Sequence, residues 1–183
     1  MTVHVLDESP KTDAAFGTSP DDRTLEQRLA SGFILVDKPA GPTSHQLAAW
    51  ARDLLGLDRL GHGGTLDPFA TGVLPLMTGR CMKITNKILK HQKTYIAVFR
   101  FRTMPEINDL KATMATMTGR IYNVPPEVSA VKVQVRTRTI HAFELLDTDG
   151  QDAVARITCD AGTYIRTMAR DMGLLLNTPV SLK

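Results

Sequence analysis

The chain has 183 residues, 43% of them hydrophobic, enough to bury a full core without staples. Its two cysteines, Cys81 and Cys159, stand far apart and form no C-x-x-C pair, which argues against a disulfide framework and a zinc site, so a reducing, cytoplasmic setting is expected. No apolar run approaches the ~18 residues of a membrane span, and the opening "MTVHVLDESPK" lacks the features of a signal peptide.

The net charge of +3 is unevenly spread. Residues 1–31 hold six acids against three bases, a net −3, which leaves the remainder at +6. Between Asp67 and Glu106 there is no acid, while Arg80, Lys83, Lys87, Lys90, Lys93, Arg100 and Arg102 fall there. A second acid-free stretch, "VSAVKVQVRTRTIHAF", adds Lys132, Arg136 and Arg138. Clusters of this kind suit a nucleic-acid backbone, although a solvated helix face would look the same.

In chain order, residues 1–31 read as an acidic, disordered or weakly ordered tail, with Thr24 and Gln27 in capping-box spacing near its end. "GFILVDKPAG" predicts a buried strand over 32–36, ended by Pro39 and Gly41, and Lys38 reads as part of that structure. "TSHQLAAWARDLLG" predicts an amphipathic helix capped by Thr43 and Gln46, with Leu47, Trp50, Ala51 and Leu54 on one face and Gly56 ending it. The glycine-rich loop "RLGHGGTLDPFATG" follows, then a short strand at "GVLPL". "CMKITNKILK" reads as a helix with Lys83, Lys87 and Lys90 on one side, and "KTYIAVFRF" as a strand. A helix over 105–119 carries the stripe Ile107, Leu110, Met114 and Met117. Strands are predicted around Ile121 and over 130–135, 139–147 and 153–160, with Asp149-Gly150 as a hairpin turn. A closing helix covers 163–176. Together these describe an α+β domain on a mixed, largely antiparallel central sheet with flanking helices.

Within the loop, Gly61, Gly63 and Gly64 permit positive φ and close approach of another segment, and Pro68 biases Asp67 away from helix. There is no P-loop lysine and no second carboxylate for a glycosidase pair or a metal cage. One fixed carboxylate suits a nucleophile or a base; it also suits an ordinary turn closed by an aspartate side chain. The residues alone leave both readings open.

The blocks "GFILVDKPAGPTSH", "GHGGTLDPFATGVLPL", "KTYIAVFRF", "PPEVSAVK" and "AGTYIRTMARDMG" resemble, in order and spacing, the TruB/dyskerin family of RNA pseudouridine synthases over roughly residues 32–176. The resemblance implies a pseudouridine synthase catalytic domain that isomerises uridine in RNA with no cofactor and no metal. It implies Asp67 as the catalytic aspartate, Arg166 as its ion-pair partner and Tyr95 as the tyrosine packed on the target base. It also implies His62 as a residue that holds the flipped nucleotide. Gly63, Gly64 and Thr65 beside it, and Lys83, Lys87 and Lys90, complete the expected RNA-binding set. The passage after "SAVK" and the form "GHGGTLDP" resemble the archaeal and eukaryotic branch. That branch implies tRNA, or rRNA with H/ACA guide RNA and accessory proteins, as partners. The family pattern continues past the last helix into an arginine motif and a PUA domain; the expectation is therefore a domain over 32–183 incomplete at its C-terminal end. A noncatalytic RNA-binding or scaffold protein on the same fold is the competing reading.

Overall fold

The structure, a computed structural model, describes residues 9, 13, 15–125 and 135–183. Residues 130–134 of the strand read over 130–135, and most of the "PPEVSAVK" block, lie outside the described residues; Val135 is described and precedes the next strand. The stretch read as a tail is helical in part: a 3-10 turn at Pro20–Asp22 leads to α1, Leu25–Ala30. Thr24 Oγ1 accepts from the Gln27 backbone and Gln27 returns the bond, so the capping box is real. The end of α1 lies close on the sheet below it. A Cβ on Gly32 would collide with the Arg28 carbonyl, and one on Gly79 with that of Ala30.

Every strand pair among the described residues is antiparallel, and the strands are shared between two sheets. The smaller contains β1 (Ser31–Lys38), β2 (Leu60–His62) and β3 (Gly72–Gly79) in the order β1-β3-β2. Helix α2, Ser44–Leu54, covers one face, with Ala48 buried on Leu74 and Leu76 and with Ile34, Val36 and Leu60 around them. Two sequence readings change here. β1 is not buried on both sides: Phe33 and Leu35 are 48% and 72% exposed, because α2 covers only the Ile34/Val36 face. Of the face read on α2, Leu47 and Ala51 pack on the core beside buried Ser44 and Ala48, whereas Trp50 and Leu54 are 58% and 88% exposed. The Thr43/Gln46 capping box forms, and Gly56 follows the helix at φ +62°.

A 3-10 turn at Arg80–Ile84 and helix α3, Thr85–Lys90, lead into the larger sheet. Its strands are β4 (Lys93–Phe101), β5 (Gly119–Asn123), β6 (Arg136–Asp149), β7 (Asp152–Cys159) and β8 (Val180–Leu182), ordered β5-β6-β7-β4-β8. α4 (Ile107–Thr116) and α5 (Ile165–Leu175) contribute to its core. Phe99, Phe101, Ile140 and Ile157 meet Leu110, Met114, Met168 and Met172 there, all nearly inaccessible. Each such side chain contributes about 1.5–3 kcal/mol by leaving water, so this cluster dominates the fold's stability. Of the stripe read on α4, Leu110, Met114 and Met117 are core and Ile107 is 38% exposed. Asp149 pairs with Asp152, so the hairpin loop is Gly150-Gln151, one residue later than read, with Gly150 at φ +56°. β8 had no sequence signal; it pairs with the end of β4, and Lys183 joins Arg100 on Asp152 at 3.0 and 2.7 Å.

Candidate active site

The loop between β2 and β3 is tied down by the segment that follows β1. Lys38 is fully buried and its Nζ donates to the carbonyls of Pro39, Pro68 and Ala70 at 2.9, 3.2 and 2.8 Å. The Gly41 amide donates to the Pro68 carbonyl at 2.8 Å. Ser44, at the first turn of α2, accepts from the Leu66 amide at 2.9 Å through an Oγ that is itself buried. The backbone on both sides of Asp67 is thus held, and the Ala70 amide closes the turn on the Asp67 carbonyl at 3.0 Å. This explains why "DKPAGPTSH" and "GTLDP" occur together: the first block is the mount for the second. Such anchoring satisfies buried backbone carbonyls and fixes a side chain that would otherwise wander.

The glycines act differently from the sequence reading. None of Gly61, Gly63 and Gly64 adopts positive φ; Gly41 and Gly72 do, at +114° and +120°. Gly63 is needed for close packing, since a Cβ there would meet Ile88 Cγ2 at 2.7 Å and Pro75 Cγ at 3.2 Å. Gly63 is therefore buried under α3, Gly64 is half-buried, and Thr65 is exposed beside Asp67.

Arg166 reaches Asp67 from the other sheet, with Nε 2.9 Å from Oδ2. Both side chains are about one-third exposed, so the pair contributes little to stability; its effect is to orient the carboxylate. Arg166 is placed by the start of α5. Buried Asn123, the last residue of β5, donates to the Tyr164 carbonyl at 3.2 Å and accepts from the Tyr164 amide at 2.8 Å. Thr167 Oγ1 adds a bond to the Val124 carbonyl at 2.6 Å.

Tyr95, on β4, completes the cluster. Burial pushes its phenol up to about 12, and the nearby Cys159 thiol and Asp67 carboxylate add to the rise. The ring is therefore a neutral phenol beside a carboxylate that is itself held by a guanidinium. Cys159, buried behind it, is raised by the same loss of solvent.

His62, at the end of β2, bonds through Nδ1 to the Gly64 carbonyl. His45 of α2, which sequence reasoning had not singled out, meets the His62 ring edge-on, with centroids 5.7 Å apart. Lys83, Lys87 and Lys90 are all exposed, on the 3-10 turn and on α3. α3 is the helix whose Ile88 lies against Gly63, so the helix that carries Lys87 and Lys90 packs beside the loop. Among the described residues no group of three His, Cys, Asp or Glu side chains could hold a metal ion, and no helix is long and apolar enough to cross a membrane. Lys38, Ser44 and Asn123 escaped sequence reasoning as site residues because each acts on backbone 20 or more positions away.

A loop-borne aspartate thus pairs with an arginine beside a partly buried tyrosine, on an α+β scaffold of two antiparallel sheets. Residues 52–165 match the TruB family pseudouridylate synthase N-terminal domain, and residues 4–48 match the DKCLD (NUC011) domain. The chain belongs to the TruB family. It is 41% identical over 182 residues to the probable tRNA pseudouridine synthase B of Methanococcus aeolicus, covering 98% of this chain and 54% of that protein. With its namesake from Methanothermobacter thermautotrophicus it shares 40% identity, over 88% of this chain and 50% of the relative. The fold superposes on a solved Cbf5-Nop10-Gar1 complex with a TM-score of 0.88 at 36% identity, covering 97% of this chain and 54% of that one. A second match is an H/ACA RNP bound to a substrate RNA containing 2'-deoxyuridine, with a TM-score of 0.85 at 33% identity, covering 97% and 53%. The chain spans about half the length of these relatives.

Proposed function

We propose that this chain carries the site at which an RNA pseudouridine synthase isomerises uridine, with Asp67 as the catalytic aspartate, Arg166 as its orienting partner and Tyr95 packed on the target base. The observation that carries the reading is the 2.9 Å Arg166–Asp67 pair beside a neutral Tyr95, in a member of the TruB family. The substrate is tRNA, the reading that the names of its relatives support, and/or rRNA under H/ACA guide RNA; the H/ACA RNP and Cbf5-Nop10-Gar1 complexes among its structural neighbours support guide RNA and accessory proteins as partners. The setting is cytoplasmic, in keeping with two free cysteines. The catalytic domain covers residues 32–183.

The chemistry needs no redox centre. The N1–C1′ bond breaks, the uracil turns, C5 bonds to C1′, the C5 proton is lost and N1 gains one. Asp67 serves as nucleophile at C1′ or on the uracil ring, or as base at C2′. The target base leaves its stack at a cost of about a few kcal/mol. Stacking on Tyr95 and His62, worth ~1–3 kcal/mol per base, offsets part of this. Gly63, Gly64 and Thr65 shape the loop against which the nucleotide lies. Lys83, Lys87 and Lys90 meet the phosphate backbone beside it.

The test is tritium release from uracil C5 in a tRNA transcript, run with and without a matched guide RNA and its accessory proteins. The wild-type chain releases tritium in one of the two formats, and Asp67→Asn abolishes release while leaving RNA affinity within twofold. A variant that keeps most of its turnover, or a wild-type chain that binds RNA without releasing tritium in either format, overturns the assignment.

A further inference from the structure

The first turn of α2 touches the loop at two places. Ser44 holds the Leu66 backbone just before Asp67, and the next residue, His45, lies against His62, its ring plane at 88° to that of His62. The Nδ1 contact of His62 sets which ring nitrogen faces the loop backbone. A carbonyl can only accept, so Nδ1 carries a proton toward Gly64 and Nε2 is the ring nitrogen not engaged in that bond. One hydrogen bond fixes one atom of a ring; it does not fix the tilt of the ring about that bond. A second aromatic ring set edge-to-face, with centroids 5.7 Å apart, does, because the electron-poor rim of one ring prefers the face of the other and contact is lost on rotation. His45 is exposed and His62 is half-buried. His45 thus braces His62 from the solvent side, on a helix whose Thr43/Gln46 cap and buried Ala48 hold it still.

We infer that His45 is a positioning residue for the reaction: it holds the His62 imidazole in the tilt at which Nε2 serves the extruded nucleotide. The inference rests on the reading of His62 given under the proposed function. In this arrangement His45 contributes its ring rather than its protons, and its effect is on how well the bound base is aligned with Asp67, not on how tightly RNA is gripped.

The test compares His45→Ala, His45→Phe, His62→Ala and the His45→Ala/His62→Ala double variant in single-turnover tritium release at saturating tRNA, with dissociation constants measured alongside. His45→Ala slows turnover three- to tenfold with RNA affinity within twofold. His45→Phe, which keeps an aromatic edge, restores the rate. The double variant is no slower than His62→Ala alone. Nitrogen-15 spectra of the imidazoles supply a readout independent of turnover: His62 is a single Nδ1-protonated tautomer in the wild type and shows averaged nitrogen shifts in His45→Ala. Equal losses in His45→Phe and His45→Ala, additive losses in the double variant, or unchanged His62 spectra overturn the inference. A wild-type chain without turnover refutes the pseudouridine reading instead, and the spectra still decide whether His45 positions His62.

Discussion

Replacing Lys38 by methionine keeps the length and bulk of the side chain and removes its donors. In the native structure Nζ supplies three hydrogen bonds, to Pro39, Pro68 and Ala70. The Pro68 carbonyl keeps a partner in the Gly41 amide, so the variant orphans two acceptors, those of Pro39 and Ala70. At roughly 1–2 kcal/mol for each partly buried acceptor left unmade, the loss is about 2–4 kcal/mol. For a chain of this size that lowers the melting midpoint by about 4–16 °C. The loss of function should be larger than the loss of stability, because the Lys38 bonds to Pro68 and Ala70 tie the turn that starts at Asp67 to the segment after β1. A displacement of about 1 Å at a reacting group can cost ~100-fold in rate. The assay pairs circular-dichroism melts with single-turnover tritium release at a temperature where the variant is fully folded. Turnover per folded molecule within threefold of wild type, alongside the expected drop in midpoint, would refute the view that Lys38 sets the position of the loop. An unchanged midpoint would refute the hydrogen-bond accounting itself.

Asn123→Ala removes both bonds to Tyr164 from a residue that is 1% exposed, and should cost about 2–3 kcal/mol in denaturant titration while slowing turnover by loosening Arg166. Tyr95, raised to about 12 from an ordinary 10, favours the folded state below pH 10, and that contribution is lost as the pH climbs from 10 to 12. Wild type should therefore lose at most about 2–3 kcal/mol more than Tyr95→Phe across that window, and parallel stability curves for the two would contradict the assigned burial. Changing Lys83, Lys87 and Lys90 to glutamine should weaken RNA binding and flatten its salt dependence by about 2 in logarithmic slope; an unchanged slope places the backbone elsewhere.

Local chemistry was readable in the sequence and tertiary choice was not. Thr24/Gln27 and Thr43/Gln46 form their capping boxes because each involves four consecutive residues and their own backbone. β4 and α4 were legible from composition and periodicity. By contrast, Leu35 and Trp50 face solvent although their neighbours suggested a core, since which side of an apolar segment is covered depends on a partner elsewhere in the chain. β2 lay hidden in a glycine-rich loop because its three residues gain strand geometry only from β3. Asp67, Tyr95 and Arg166 were found through motif resemblance, and the structure brings them together. Lys38, read as structural, proves to be the anchor of the loop. Ser44 and Asn123 carried no signal, because a polar residue that binds distant backbone looks like any surface serine or asparagine.

Asp67 hangs from one sheet, whereas Tyr95 belongs to the other and Arg166 to the helix packed on it, and among the described residues the two sheets have separate cores and share no strand pairing. The proposed reactive centre is consequently a property of the seam rather than of either lobe. Each lobe could be perfectly folded and still hold only one side of the chemistry. Substitutions far from Asp67 that tilt one lobe against the other should then behave like active-site lesions, which makes the seam as sensitive a target for mutation or ligands as the carboxylate it assembles.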